Sequence, residues 1–229
     1  MVILSSTYFG PVQWYQKLCR HGDVMIERYD HFMKQTYRNR CVIAAANGLQ
    51  SLTVPVEKGF GTALTNGNDV AEKAASAEGK TNLVPQYMKD VRISDHGNWR
   101  HLHWQALQSA YGESPFFEFY ADDLRPFFEK RWTYLLDFNL EITHKMCELL
   151  DIEPNIQLTN EYFPADNAQL PATIKDYRDA IHPKHPQPDD EFQARRYYQV
   201  YEQKYGFQPN LSILDLLFNM GNESVLYIH

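Results

Sequence analysis

The segment Val2-Ile3-Leu4-Ser5-Ser6-Thr7-Tyr8-Phe9-Gly10-Pro11-Val12-Gln13-Trp14-Tyr15-Gln16-Lys17-Leu18-Cys19-Arg20-His21-Gly22-Asp23-Val24-Met25-Ile26-Glu27 decides the fold. Val2 to Ser6 reads as a short strand, and Pro11 to Arg20 as a helix with Gly10 at its cap, Pro11 at its first position and Gly22 at its exit. Asp23 to Glu27 then reads as a second strand. A strand, helix, strand order implies two parallel neighbours joined by a right-handed crossover, and ligands favour the carboxyl ends of such strands. That makes Ser5, Ser6, Thr7 and Tyr8 candidate site residues.

Downstream, Arg40 to Val56 reads as a β-hairpin around Asn47-Gly48, a dipeptide suited to the two positive φ angles of a type I′ turn. Counting out from that turn pairs Ala46 with Leu49, Ile43 with Leu52 and Arg40 with Pro55, near the end of an edge strand where a missing N–H is harmless. Directly before the hairpin, Lys34-Gln35-Thr36-Tyr37-Arg38-Asn39-Arg40 interleaves three cations with amide and hydroxyl donors. Lys34, Arg38 and Arg40 could clamp an anion while Gln35, Thr36 and Asn39 add directed hydrogen bonds; the alternative is a solvated strand face.

Residues 57–90 change character, with glycine, alanine, lysine and asparagine prevailing and two aromatics, Phe60 and Tyr87. They read as a flexible insertion, either a cover over a site or a solvated excursion. Val91 to Ser94 is a predicted strand and Trp99 to Ala110 a helix, with Asn98 as cap and Gly112 beyond its end. Further helices are expected to start at Ser114-Pro115, to run from Asp122 or Asp123 to Leu150, and to span Asp190 to Tyr205 and Asn210 to Met220. Ile156 to Thr159 and Val225 to Ile228 add two short strands to the expectation. The fold class is therefore α/β: a mixed sheet starting with a strand-helix-strand unit and a β-hairpin, followed by a mostly helical second half, in a single domain over residues 1–229.

Of the 229 residues, 44% are hydrophobic, as expected of a chain with a packed core, and the formal net charge is −7. That balance, with a pI near 5.7, excludes the dominant basic field that nucleic-acid or membrane-surface binding requires, so any anion site must be local. Cys19, Cys41 and Cys147 are scattered, without the short spacings of a zinc site or redox pair. They read as thiols in a reducing compartment. With no leader and no apolar run of membrane-spanning length, the expected setting is the cytoplasm, without integral membrane association. No metal is expected, and neither a cofactor nor an oligomeric state can be named from the residues.

Arg100 and His101 stand just inside the Trp99 helix, where acids would be the stabilising choice. An anion docked at the helix end would explain them, as would an ion pair from Arg100 to Asp95 or Asp123. On a helix, His101 and His103 point to nearly opposite sides, so they do not chelate together. His103 falls on the stripe of Trp99, Ala106 and Ala110, as either a satisfied core histidine or the best available acid or base. Asp122-Asp123 reads as a helix cap, and Phe116, Phe117, Phe119 and Tyr120 as core. There is no G-x-G-x-x-G, Walker loop, G-x-S-x-G elbow or H-E-x-x-H, nor the paired histidines of nucleotidyltransferases between Thr7 and Lys17.

The combination of Thr7 to Tyr15, Lys34 to Arg40, Leu52 to Val56, Trp99 to Trp104, Tyr111, Ser114 to Asp123 and Asn210 to Gly221 resembles the WbqC-like protein family, and in particular its form in Bacteroidetes. Where the broader family begins with a Gln-Pro-x-Tyr-x-Pro pattern, this chain has Ser5-Ser6-Thr7-Tyr8-Phe9-Gly10-Pro11. Members occur in gene clusters for O-antigen and related surface polysaccharides, so the resemblance implies a role near activated sugars. The expectation is a phosphorylated or carboxylated small-molecule ligand, bound for group transfer in polysaccharide or envelope biosynthesis. If the protein is an enzyme, it would be a transferase acting on an activated sugar or an acyl or aminoacyl donor. Thr7, Tyr8, Lys34, Gln35, Arg38, Asn39, Arg40 and Arg100 would hold the ligand and His103 would serve catalysis. The alternative is a non-catalytic binding or assembly protein for envelope biogenesis.

Overall fold

A computed structural model of the protein describes residues 1–57, 86–164 and 173–229. The opening segment forms β1 (Val2–Leu4), α1 (Val12–His21) and β2 (Asp23–Ile26). β1 and β2 run parallel with Val2 opposite Val24 and Leu4 opposite Ile26. Gly22 closes α1 at φ 65°, a left-handed conformation in which a side chain is strained, and its N–H reaches the Leu18 carbonyl. Every residue of α1 from Val12 to Leu18 is buried, Lys17 included, because Asp189 meets the Lys17 ammonium at 2.8 Å.

Two later strands complete a four-stranded parallel sheet in the order β5-β2-β1-β6. β5 (Asn155–Leu158) pairs with β2, and the two-residue β6 (Lys175–Asp176) returns to the far side of β1. The sheet is thus extended first to one side of β1 and then to the other, and its topological switch point falls between β1 and β6.

The hairpin forms from β3 (Arg40–Ala45) and β4 (Gly48–Thr53), as a two-stranded ladder separate from the parallel sheet. Its register differs from the predicted one by two residues: Ala45 faces Gly48, Cys41 faces Leu52 and Arg40 faces Thr53. The turn is Ala46-Asn47, and of the residues around it only Gly48 takes a positive φ, at 107°. One left-handed glycine after two right-handed turn residues is the arrangement of a type I turn with a glycine bulge, not the type I′ turn expected from Asn-Gly. A shift of two keeps each side chain on its face, so Cys41, Ile43 and Leu52 still point into the core.

The helices are α2 (Trp99–Tyr111), α3 (Phe117–Leu124), α4 (Pro126–Glu129), α5 (Leu135–Leu149), α6 (Glu202–Tyr205), α7 (Ile213–Met220) and α8 (Val225–Ile228). The fold is therefore mixed α/β with a mostly helical second half. Several local expectations are corrected: Val91 to Ser94 makes isolated bridges in place of a strand, and Phe116 and Phe119, expected in the core, are exposed. The helix expected from Asp122 or Asp123 to Leu150 is broken because Lys130 is extended and the next residues pair with the 91–93 segment, Ile93 N–H to Thr133 O and Leu135 N–H to Val91 O, each at 2.9 Å. Asp122 and Asp123 lie within α3 instead of capping a helix. Residues 190–201 are not helical, and α6 keeps only the end of the expected span. Val225 to Ile228 is helix, packed with α1, instead of strand.

Most of the insertion expected at 57–90 lies outside the described residues. Gln86 to Asp90 pack against the loop after β2: Met88 is buried in the core, and its N–H reaches the Asp30 carbonyl at 2.8 Å. Among the described residues no helix is long and apolar enough to cross a membrane.

Candidate functional site

The chain leaves β1 through Ser5, Ser6 and Thr7, all buried. This polar loop is held from two sides. The Trp14 indole N–H donates to the Ser5 carbonyl at 3.0 Å, and the Tyr8 N–H donates to the Tyr37 carbonyl at 2.9 Å. The second contact docks the Lys34–Arg40 segment onto the carboxyl edge of the parallel sheet. From α5, the buried Asn139 amide donates to the Arg38 carbonyl at 2.8 Å and to Ser6 Oγ at 3.3 Å.

A narrow, shallow cleft opens at this edge, lined by Ser5, Thr7, Trp14, Thr36, Tyr37, Arg38, Tyr177, Arg178 and Ile181. It lies at the switch point between β1 and β6. Arg38 and Arg178, each almost fully buried, line it. Arg38 is held by Asp30, through Nε at 3.1 Å and through a close Nη2 contact. The Ser5 hydroxyl donates to the same Asp30 Oδ2 at 3.0 Å. Arg38 Nη1 makes no hydrogen bond among the described residues.

Arg178 donates Nε and Nη2 to Asp176 and Nη1 to the Phe163 carbonyl, and stands 3.6 Å from Glu27. Burial would lower the Arg178 pKa, but Asp176, with Asp30 and Glu27 beyond it, raises it. Its charge is permanent. Glu27, fully buried at the end of β2, accepts from the Thr159 hydroxyl at 2.7 Å and from the N–H groups of Tyr29 and Phe163. The carboxylates thus fix the two guanidiniums in place. Thr7 Oγ1 is buried with no hydrogen-bond partner among the described residues, in a protein where most buried polar atoms have one.

The structure divides the residues expected from sequence among five places. Thr7 and Arg38 line the cleft, and Lys34 and Gln35 are exposed on the loop before it, with Lys184 donating to Gln35 Oε1. Asn39 is structural, its amide tied to the Val54 carbonyl at 2.8 Å, and Arg40 Nε is bonded to Thr53 Oγ1 at 3.1 Å.

Arg100 lines a different cleft, beside Trp99, Trp104, Arg125 and Arg131. Its Nη2 is 2.7 Å from Asp95 Oδ1 but out of line for a hydrogen bond, so the ion-pair alternative weighed for Arg100 is realised. Arg38, Arg40 and Arg100 do not share one cleft.

His103 and Tyr8 meet in the core, with the Tyr8 hydroxyl 2.9 Å from His103 Nδ1. Trp99 packs edge-on against the imidazole. Burial lowers the His103 pKa to about 4, so the ring is neutral near pH 7. Neither residue lines the sheet cleft.

Sequence reasoning missed Arg178, Asp176, Glu27 and Asp30. The acids at the end of β2 carried a signal, being charged residues just past a predicted strand. Arg178 follows a strand too short to show any periodicity.

Cys41 and Cys147 are buried free thiols whose pKa burial pushes up to about 12. Among the described residues there is no cluster of three or more histidine, cysteine, aspartate or glutamate side chains that could hold a metal ion.

The fold and cleft define an α/β protein with a polar cleft at the carboxyl edge of a parallel sheet, lined by two arginines paired with Asp30, Asp176 and Glu27. The sequence model of the WbqC-like protein family matches residues 80–227, more than half of the chain, and the protein belongs to that family. It is similar to a Mycobacterium tuberculosis protein named "Uncharacterized protein Rv1507c", 28% identical over 247 aligned positions that cover 100% of this chain and 96% of the relative. No solved structure matches. The family match takes in Asp176 and Arg178, whereas Ser5, Thr7 and Arg38 precede it.

Proposed function

We propose that the protein binds an anionic small molecule, phosphorylated or carboxylated, in the cleft between β1 and β6, and that the bound molecule takes part in group transfer. The observation that carries this reading is Thr7 Oγ1, a buried hydroxyl without a partner in a cleft that two buried arginines also line. An oxyanion would offer the acceptor that the Thr7 hydroxyl lacks, in a cleft that Arg38 also lines. The position agrees with the rule that open parallel sheets bind ligands beyond the carboxyl ends of their strands at a switch point.

For the transfer step the support is the Ser5 hydroxyl, which donates to Asp30 Oδ2 in the same cleft. As Ser5 Oγ bonds to the phosphorus or carbonyl carbon of an activated donor, its proton would pass to Asp30 and the bond from that atom to the donor's leaving group would break, the leaving group departing with the bonding pair. The link to surface polysaccharides or envelope assembly, and the cytoplasmic setting, rest on the family and on the reduced state expected of its cysteines.

One observation favours a second reading, a binding protein without catalysis: His103, the best acid or base by sequence, is buried away from the cleft. A thermal-shift and calorimetric series with phosphate, pyrophosphate and citrate tests the binding claim, since a ligand that binds the folded state raises its stability. No stabilisation by any of them rules out the anion site. Binding without turnover of activated sugar, acyl or aminoacyl donors favours the second reading.

A further inference from the structure

We infer that the anion is carried on a planar ring, so that the ligand is a nucleoside phosphate; this rests on the anion-binding reading above. The observation is a column of rings beside the ion network. Tyr87 and His31 stack with centroids 5.3 Å apart and planes 14° apart. His31 and Tyr162 continue the column at 5.9 Å and 35°. Tyr29 meets Tyr87 edge-on from the other end, at 6.1 Å and 77°.

The column is joined to the cleft at two points of the backbone. His31 follows Asp30, the residue that holds Ser5 and Arg38. Tyr162 precedes Phe163, whose N–H donates to Glu27 at 3.0 Å and whose carbonyl accepts from Arg178 at 2.6 Å. Of these three rings, His31 touches both others, stacked on Tyr87 and tilted against Tyr162, whereas Tyr162 has only His31 as a ring neighbour among the described residues. Among the described residues Tyr162 ends the column, and it keeps 40% of its surface exposed in a protein that buries most of its large aromatic side chains.

A half-exposed tyrosine ring at the end of an aromatic column, next to fixed guanidiniums, matches a ligand with a flat π-face attached to an oxyanion. A nucleobase meets that description, because every base offers a face for stacking on an aromatic side chain. The net charge of −7 lacks the basic field that a nucleic-acid strand would need, which leaves a single nucleotide. A stack supplies no base-edge hydrogen bonds, so purine and pyrimidine nucleotides should differ little.

The test is calorimetry on the full chain with pyrophosphate, ADP and UDP, using the wild type, Tyr162→Phe and Tyr162→Leu. Both nucleotides should bind about tenfold more tightly than pyrophosphate, the range expected of one stacked base. Tyr162→Phe should keep that advantage. Tyr162→Leu should abolish it while leaving pyrophosphate affinity unchanged. Nucleotides binding no better than pyrophosphate, or an advantage that survives in Tyr162→Leu, overturns the inference and leaves the anion site standing. Equal loss of pyrophosphate binding in Tyr162→Leu also overturns it, by assigning Tyr162 to the support of the cleft. Failure of all three probes to bind the wild type removes the anion site itself.

Discussion

The Tyr8 hydroxyl and His103 Nδ1 lie 2.9 Å apart in the core, so the loop leaving β1 is fastened to α2 by a neutral hydrogen bond. The Thr53 backbone of the hairpin is close enough to act on the same imidazole, raising its pKa against the larger lowering by burial. One ring thereby links β1, the hairpin and α2.

The first prediction concerns pH. His103 has its folded pKa lowered to about 4 from 6.5 by burial, so between those values the unfolded chain binds the proton and the folded chain does not. Stability from this group is full above about pH 6.5 and falls as pH drops toward 4, by about 3 kcal/mol in total. His103→Phe should be less stable at pH 7.5 yet show a shallower loss between pH 6.5 and 4. Urea melts across that range measure both, and parallel slopes in the two proteins refute the assignment.

Thr7→Val separates function from stability. The change removes a buried hydroxyl that has no partner, so the unliganded protein should melt at the same temperature or higher. Pyrophosphate affinity should fall about fivefold or more, for the loss of about 1 kcal/mol of hydrogen bonding. A drop in melting temperature would mean that the hydroxyl is satisfied in the unliganded fold.

Arg178→Met leaves Asp176 and Glu27 without their buried counter-charge and should destabilise the fold by about 3–5 kcal/mol. Adding Glu27→Gln should restore part of that loss, since it removes one of the stranded charges. Additive effects in the double variant, read from denaturant melts, would show that Arg178 and Glu27 do not interact.

Asp215 is the acceptor that collects three buried donors, the hydroxyls of Tyr111 and Tyr197 and the Gln199 amide, at 2.7 to 2.9 Å. Asp215→Ala orphans all three and should cost more than about 3 kcal/mol. Asp215→Asn should cost less. Burial raises the Asp215 pKa, so the folded state holds its proton at higher pH than the unfolded chain. The wild type should therefore lose stability relative to Asp215→Asn as pH rises from the ordinary carboxylate value through the raised one. A constant difference across that range would contradict the raised pKa.

What the sequence determined by itself is what neighbouring residues decide. The β1-α1-β2 unit, the existence of the hairpin, α2 and α7 were legible because caps, glycine exits and apolar periodicity act over a few residues. The Ser5–Tyr8 loop and the Lys34–Arg40 segment stood out in the same way, and of them Ser5, Thr7, Thr36, Tyr37 and Arg38 line the proposed cleft. Tertiary structure decided the rest, through contacts between residues distant in the chain. Tyr197 and Gln199 both reach Asp215, a pairing that extended chain permits and a helix forbids, since residues two apart on a helix face different ways. That overrides the helical pattern expected across 190–201. β6 exists only because Val2 and Ile3 offer an unpaired edge to Lys175 and Asp176. Its pairing places Arg178 in the same cleft as Arg38, a meeting no local propensity records because it depends on strand pairing and on the buried Glu27 far off in the chain.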